Sequence, residues 1–133
     1  MKVLSIREPW ASIIINGYKE YEFRSWKTNY RGKILIHASK NIEKENVERF
    51  KKLNLNYKQG FIIGEAELVD CIPVTKEFED NLINKNELVY GATKNRTGYA
   101  WKLKNIKKIK PIQAKGQLGI WNFDEIMKTN VYF

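Results

Sequence analysis

The chain has 133 residues, 43% of them apolar, a net charge of +9 and a single cysteine, Cys71. That length supplies one hydrophobic core and is too short for two, so one domain over residues 1–133 is expected. One cysteine excludes an intrachain disulfide framework, and no apolar run approaches the roughly 20 residues of a membrane-spanning helix; a cytoplasmic protein with no membrane partner is expected.

Val3 to Ile6 reads as a short strand. Pro9 then opens a helix that Gly17 ends, with Trp10, Ile13 and Ile14 on one face. Glu20, Glu22 and Arg24 alternate with Tyr21, Phe23 and Ser25, as in a half-buried strand that gathers its charges on one side. Residues 29–32 form a turn, and the apolar run from Lys33 to Ala38 suits a strand covered on both faces and closed by His37. Asn41 is expected to cap a helix packed through Ile42, Val47, Phe50 and Leu53. Gly60 to Ile72 is a long strand around Cys71, read as a buried structural thiol, and Pro73 and Thr75 lead into a second capped amphipathic helix.

The polar stretch from Asn84 to Thr97 reads as a loop. Tyr99 to Lys110 returns to strand, with Trp101 and Leu103 opposite Lys102 and Lys104, and its alternation slips near Asn105 as at a bulge. Pro111 and Gly116 break the chain before a last strand around Gly119 to Phe123, and a short terminal helix is expected from Asp124. Several strands with short helices between them predict an α+β fold, a mostly antiparallel, closed or nearly closed β-barrel with helices at its rim.

The charge is unevenly distributed. Residues 1–87 carry 15 Lys and Arg against 13 Asp and Glu, whereas residues 88–123 carry eight basic residues and no acid. Such a run attracts polyanions through counterion release, so Lys94, Arg96, Lys102 and Lys104 are candidate contacts to a nucleic-acid backbone. The alternative is a solvated lysine face that guards an edge strand. The lone histidine and the lack of a cysteine pair leave no metal site, and no cofactor is expected.

Three segments concentrate polar and aromatic groups: Ser5 with Glu8-Pro9-Trp10-Ala11, residues 17–26, and His37-Ala-Ser-Lys. With Gly17-x-Lys19-x-x-Glu22-x-Arg24, Tyr30-Arg31-Gly32, Gly64-Glu-Ala-Glu-Leu-Val-Asp and Lys115-Gly-Gln-Leu-Gly-Ile-Trp, the chain resembles the ASCH domain family of the PUA-like superfamily over nearly its whole length. The resemblance implies a PUA-like β-barrel with a cleft beside the first helix, and a role in binding RNA, DNA or modified nucleosides.

The residue types suit such a cleft independently. Lys19 and Arg24 present a point charge and a planar fork to phosphate or a base edge, and Glu22 orients them or accepts an amino proton. Trp10, Trp26 and Tyr21 offer stacking surfaces, although aromatic side chains in a small domain are more often core. Ser5, Pro9, Ser25, His37, Ser39 and Lys40 complete the candidate ligand-binding set. For His37 the competing reading is a structural hydrogen-bonding group, and for Lys19, Glu22 and Arg24 an ion-pair network that closes the barrel mouth.

The leading expectation is a nucleic-acid or modified-nucleoside binding module. The resemblance also implies two alternatives. Some small ASCH relatives are amidohydrolases that deacylate N4-acylated cytidine with a Lys, a Thr and a Glu. This chain keeps Lys19 but has Glu22 where the Thr would stand, so Lys19 and Glu22 would be catalytic only if it is an enzyme. ASCH domains also occur within transcriptional coactivator chains, which implies a protein partner instead.

Overall fold

The computed structural model describes residues 1–124, and the terminal helix expected from Asp124 lies outside the described residues. Six strands alternate with short helices: β1 (Lys2–Glu8), α1 (Trp10–Ile15), β2 (Tyr21–Arg24), β3 (Gly32–Ile42), α2 (Lys44–Arg49), β4 (Phe61–Pro73), α3 (Lys76–Lys85), α4 (Glu87–Tyr90), β5 (Tyr99–Gln113) and β6 (Ile120–Asn122). They form one sheet in the order β2-β5-β4-β3-β1-β6, antiparallel except where β1 pairs with β3. The fold is α+β, as expected, but the barrel is not closed by backbone pairing: among the described residues no ladder joins β2 to β6.

Strand alternation sends side chains to two faces. Leu4, Ile6, Ile34, Ile36, Ala38, Ala66, Leu68, Cys71, Trp101 and Leu103 form the inner core, into which α1 inserts Ala11 and Ile14. Val3, Leu35, Ile62, Ile109 and Trp121 make a second cluster. A third joins Tyr21 and Ala100 to Phe50, Leu82, Val89 and Tyr90 of the helical segments. The run from Ile34 to Ala38 is buried at every position, because β3 is paired on both sides and covered on both faces.

Several boundaries differ from the sequence reading, each because a tertiary contact decides. β3 does not close at His37 but runs to Ile42, since Ile42 pairs with Glu8 and Glu43 N–H donates to Glu8 O at 2.8 Å. Asn41 therefore lies in a strand and does not cap α2, whose N-cap is Glu43 with no side-chain bond. Asn84 to Thr97 is not all loop: α3 reaches Lys85, and Asn86 accepts from Val89 N–H at 3.2 Å to start α4, which buries Val89 and Tyr90. Pro111 lies within β5, where the register shifts between Ile62 and Gly64; a bulge tolerates the missing N–H. The slip near Asn105 is confirmed by its left-handed φ of 53° and by a register shift between Glu65 and Glu67.

The start of α1 shows a feature that the sequence reading passed over. The carboxylate of Glu8, fully buried, accepts from Ser12 N–H at 2.8 Å and from Ser12 Oγ at 2.6 Å, which caps the helix in place of Pro9. Burial pushes the Glu8 carboxyl up, and the Ser12 bonds oppose that shift.

Candidate functional site

The sheet's missing closure is where the cleft lies. Met1 and Phe123 exchange bonds of 2.8–2.9 Å at the β1–β6 ladder. By antiparallel alternation, Val3 and then Ser5 direct N–H and C=O to that same side, but β6 ends at the pairing of Ile120 with Leu4. On the other flank, Leu103 N–H donates to Glu20 O at 2.9 Å, so Phe23 turns its backbone groups away from β5. The open seam between Ser5–Arg7 and Glu22–Ser25 forms a cleft of about 1170 Å³, lined also by β3, the segment from 59 to 61, the segment from 93 to 97 and the β5–β6 connection.

Side chains bridge what the backbone leaves open. Arg24 Nη2 donates to Ser5 O at 2.7 Å and lies 3.0 Å from Glu22 Oε2, while Lys19 Nζ donates to Glu22 Oε1 at 3.2 Å. Glu22 is thus held between two cations, with Lys19 only 6% exposed. The Lys19 ammonium lies 4.4 Å from the Trp10 ring centroid and 5.4 Å from that of Phe23. Burial pushes the Lys19 amine down; Glu22 pulls it back only in part. Arg24 Nε is buried and has no hydrogen-bond partner among the described residues.

A second group fixes the opposite wall. His37 Nε2 lies 2.7 Å from Ala114 O, which can only accept, so that nitrogen carries the proton. Nδ1 then accepts from Ser5 Oγ at 3.0 Å, and Ser5 Oγ accepts from Trp121 Nε1 at 3.1 Å. With all its polar atoms engaged, His37 is a buried neutral imidazole that locks the start of the β5–β6 connection. Burial pushes its pKa down, against the Ala114 bond. Gly116 packs on this pair so closely that a Cβ there would meet His37 Cε1 and Ser5 Oγ at 2.9 Å.

Arg96 forms a third anchor. Glu79 accepts from Asn95 N–H at 2.8 Å and from Arg96 N–H and Nη1 at 2.9 Å, while Arg96 Nη2 donates to Tyr90 O at 2.6 Å and the guanidinium lies 4.5 Å from the Phe23 centroid. Burial alone would push the Glu79 carboxyl up, but the Arg96 and Asn95 donors outweigh it and hold it below the usual range.

Of the expected ligand-binding residues, Ser5, Trp10, Lys19, Glu22, Arg24, Ser25, His37, Ser39 and Lys40 line the cleft. Three do not. Tyr21 faces the helices, edge-on to Phe78, because it alternates with Glu22. Trp26 lies past the end of β2, 39% exposed and edge-on to buried Trp101, whose Nε1 donates to its carbonyl. Pro9 is buried in the turn before α1 and does not reach the cleft. Trp10 keeps its place, with Nε1 donating to Glu43 at 3.1 Å.

The expected backbone-contact set divides. Arg96 lines the cleft but is consumed by Glu79 and Tyr90, and Lys94 is exposed outside it. Lys102 and Lys104 sit opposite Asp70 and Glu67 of β4, Lys107 opposite Glu65. Lys102 pairs with Glu20 at 3.6 Å, and Glu65 lies 3.7 Å from Lys33 and 3.9 Å from Lys107. The run that is acid-free in sequence faces an acidic strand in space. Sequence reasoning missed Arg7, Gln59, Phe61, Gln113 and Lys115, which line the cleft from segments that converge only in the fold. Among the described residues no group of three His, Cys, Asp or Glu side chains gathers as a metal site would. Nor is any described helix long and apolar enough to cross a membrane.

A mixed six-stranded sheet with a side-chain-bridged seam defines a small α+β domain organised around that seam. The chain belongs to the ASCH domain family, whose family model matches residues 4–113. Activating signal cointegrator 1 from Homo sapiens is 30% identical over 91 residues, covering 58% of this chain and 15% of that protein. The Mus musculus protein of the same name is 25% identical over 134 residues, covering 91% and 22%. The chain therefore spans less than a quarter of the length of these relatives. The fold is similar to the crystal structure of an ASCH protein from Zymomonas mobilis, with a TM-score of 0.55 at 20% identity over 84% of this chain and 72% of that one. A point variant of that protein gives a TM-score of 0.52 over 84% and 74%.

Proposed function

We propose that this ASCH domain binds nucleic acid or a modified nucleoside in the seam cleft. The observation that carries this reading is an enclosed charged cluster beside a strand edge that β5 leaves free: Lys19, Glu22 and Arg24 form the floor of the cleft, and the backbone of Phe23 faces its opening. A base offers acceptors and amino donors to such a floor, while Trp10 and Phe61 supply apolar lining. The volume of about 1170 Å³ exceeds what one nucleoside fills, so the cleft has room for a flanking nucleotide.

The test is anisotropy of fluorescein-labelled single-stranded RNA and DNA decamers over a salt series. Binding should weaken as salt rises, with a log–log slope of about −0.7 for each phosphate neutralised. Arg24→Ala and Glu22→Gln should weaken it about tenfold or more, the size of one lost charge-assisted contact. Affinity that ignores salt, or survives both substitutions, would remove this reading. A protein co-purifying stoichiometrically without nucleic acid would favour instead the partner role that the coactivator relatives' name implies.

Buried Lys19, with its amine pushed down, keeps the deacylase reading as a second possibility. Incubation with N4-acetylcytidine decides it: release of acetate by the native chain and none by Lys19→Ala is the expected result for an enzyme. No turnover by either excludes it.

A further inference from the structure

The cleft's cations fall into two groups. Lys19, Arg24 and Arg96 lie deep and are engaged by Glu22 and Glu79. Arg7, Lys40 and Lys115 are exposed at the rim, and among the described residues none of them has a carboxylate within ion-pair distance. The other carboxylate in the lining, Glu43, accepts from Trp10 Nε1 and from Asn46 Nδ2 at 2.6 Å.

The segments that carry these three residues are neighbours. Arg7 sits on β1 between the pairings Ile6–Ala38 and Glu8–Ile42, beside the strand segment that carries Lys40. The Lys40 stem runs over Gly60, where a Cβ would meet it at 3.6 Å. Gly60 O accepts from Ala114 N–H at 3.1 Å, and Lys115 follows directly. The locked His37–Ala114 bond fixes that neighbour in place.

We infer that Arg7, Lys40 and Lys115 form a phosphate site at the rim of the seam cleft, so that the domain takes a phosphorylated nucleotide unit of a single strand, base inward. This rests on the proposed reading of the cleft and names its ligand class. The deep cations are already neutralised, and a phosphate brought there would meet the Glu22 carboxylate; the rim offers three solvated cations that form no ion pair with a described carboxylate. The β5 lysines are the wrong place for the strand, because Glu65, Glu67 and Asp70 stand opposite them. The bases of a duplex are stacked and paired, whereas an unpaired base is free to turn into the seam.

The experiment compares two charge-matched triple variants of the full chain, Arg7→Gln/Lys40→Gln/Lys115→Gln and Lys104→Gln/Lys107→Gln/Lys110→Gln. The probes are a fluorescein-labelled random single-stranded RNA decamer, the matching duplex, and the four ribonucleosides with their 5′-monophosphates by calorimetry. The rim triple should weaken the single strand about 30-fold and flatten the salt slope by about two units. The β5 triple should change affinity less than about threefold. Monophosphates should outbind nucleosides in the native chain and lose that advantage in the rim triple. Each rim substitution made singly should give part of the same loss, which covers a triple that fails to fold. Equal losses in the two triples, a preference for duplex, or nucleosides bound as tightly as monophosphates would each overturn the rim site alone. No binding of any probe by the native chain would overturn the cleft reading with it.

Discussion

Arg24 Nη2 donates to the main-chain oxygen of Ser5 across 2.7 Å, and this bond spans a gap between β2 and β1 that no backbone ladder fills among the described residues. The same nitrogen lies 3.0 Å from Glu22 Oε2, so one guanidinium both ties the seam and orients the cluster at its floor. The site and the closure of the sheet are therefore one structural problem.

Removing that tie should destabilise the domain as well as weaken binding. Arg24→Ala deletes the Ser5 bond and leaves Glu22 with Lys19 alone, a loss of about 2 kcal/mol, in the range for hydrogen bonds to charged groups. Arg24→Lys should recover less than half, since an ammonium lacks the fork geometry. Urea unfolding measures both. A shift of under about 0.5 kcal/mol for Arg24→Ala would show that the seam is held elsewhere.

Glu79→Ala should be more damaging than its place outside the cleft suggests. It strips the carboxylate that accepts from two backbone N–H groups and from a nearly buried guanidinium. Breaking a buried pair from one side costs about 3 kcal/mol or more. Hydrogen exchange at the Asn95 and Arg96 amides should accelerate well before global unfolding, and unchanged protection there would contradict the anchor.

His37 sets a pH dependence whose sign follows from burial. Its folded pKa lies below the ordinary 6.5, so between those two values the unfolded chain binds more protons than the folded one. Stability then rises with pH through that window and falls as pH drops below about 6.5. The native chain should lose stability from pH 7 to pH 5 more steeply than His37→Gln, followed by thermal unfolding at both pH values. Parallel curves would mean that the imidazole titrates freely.

Gly116→Ala tests the wall behind the ligand. A Cβ would meet His37 Cε1 and Ser5 Oγ at 2.9 Å and His37 Nδ1 at 3.2 Å, so one of two hydrogen-bonded side chains must shift. Overpacking of this kind costs about 1–3 kcal/mol. Leu118→Ser, at a side chain 99% exposed in the same connection, should leave unfolding unchanged. A tolerated alanine would show that the His37–Ser5 pair has slack.

Much of the local structure was legible in the residues. The apolar run of β3, the Thr75 cap of α3, whose Oγ1 accepts from Phe78 N–H at 3.1 Å, and the bulge near Asn105 follow from short-range patterns. Lys19, Glu22 and Arg24 were recognisable because they fall in the Gly-x-Lys-x-x-Glu-x-Arg pattern of the family that the chain resembles. Asn41 misled because a good capping residue says nothing of a strand pairing with Glu8. The lysine run reads as acid-free in sequence for a similar cause: the acids opposite it lie on β4, more than 30 residues earlier in the chain.

By itself the sequence determined most of the strands and helices, the apolar runs that supply the core, and that one compact cluster carries the unusual charges, since these depend on neighbours within a few residues. Only the tertiary structure decided which lysines stay unpaired, which aromatic side chains reach the cleft, and that β2 and β1 meet through Arg24 rather than through a ladder. Those outcomes depend on register and strand order, where one residue of slip changes the face of every side chain, and on partners that the chain brings together only after folding.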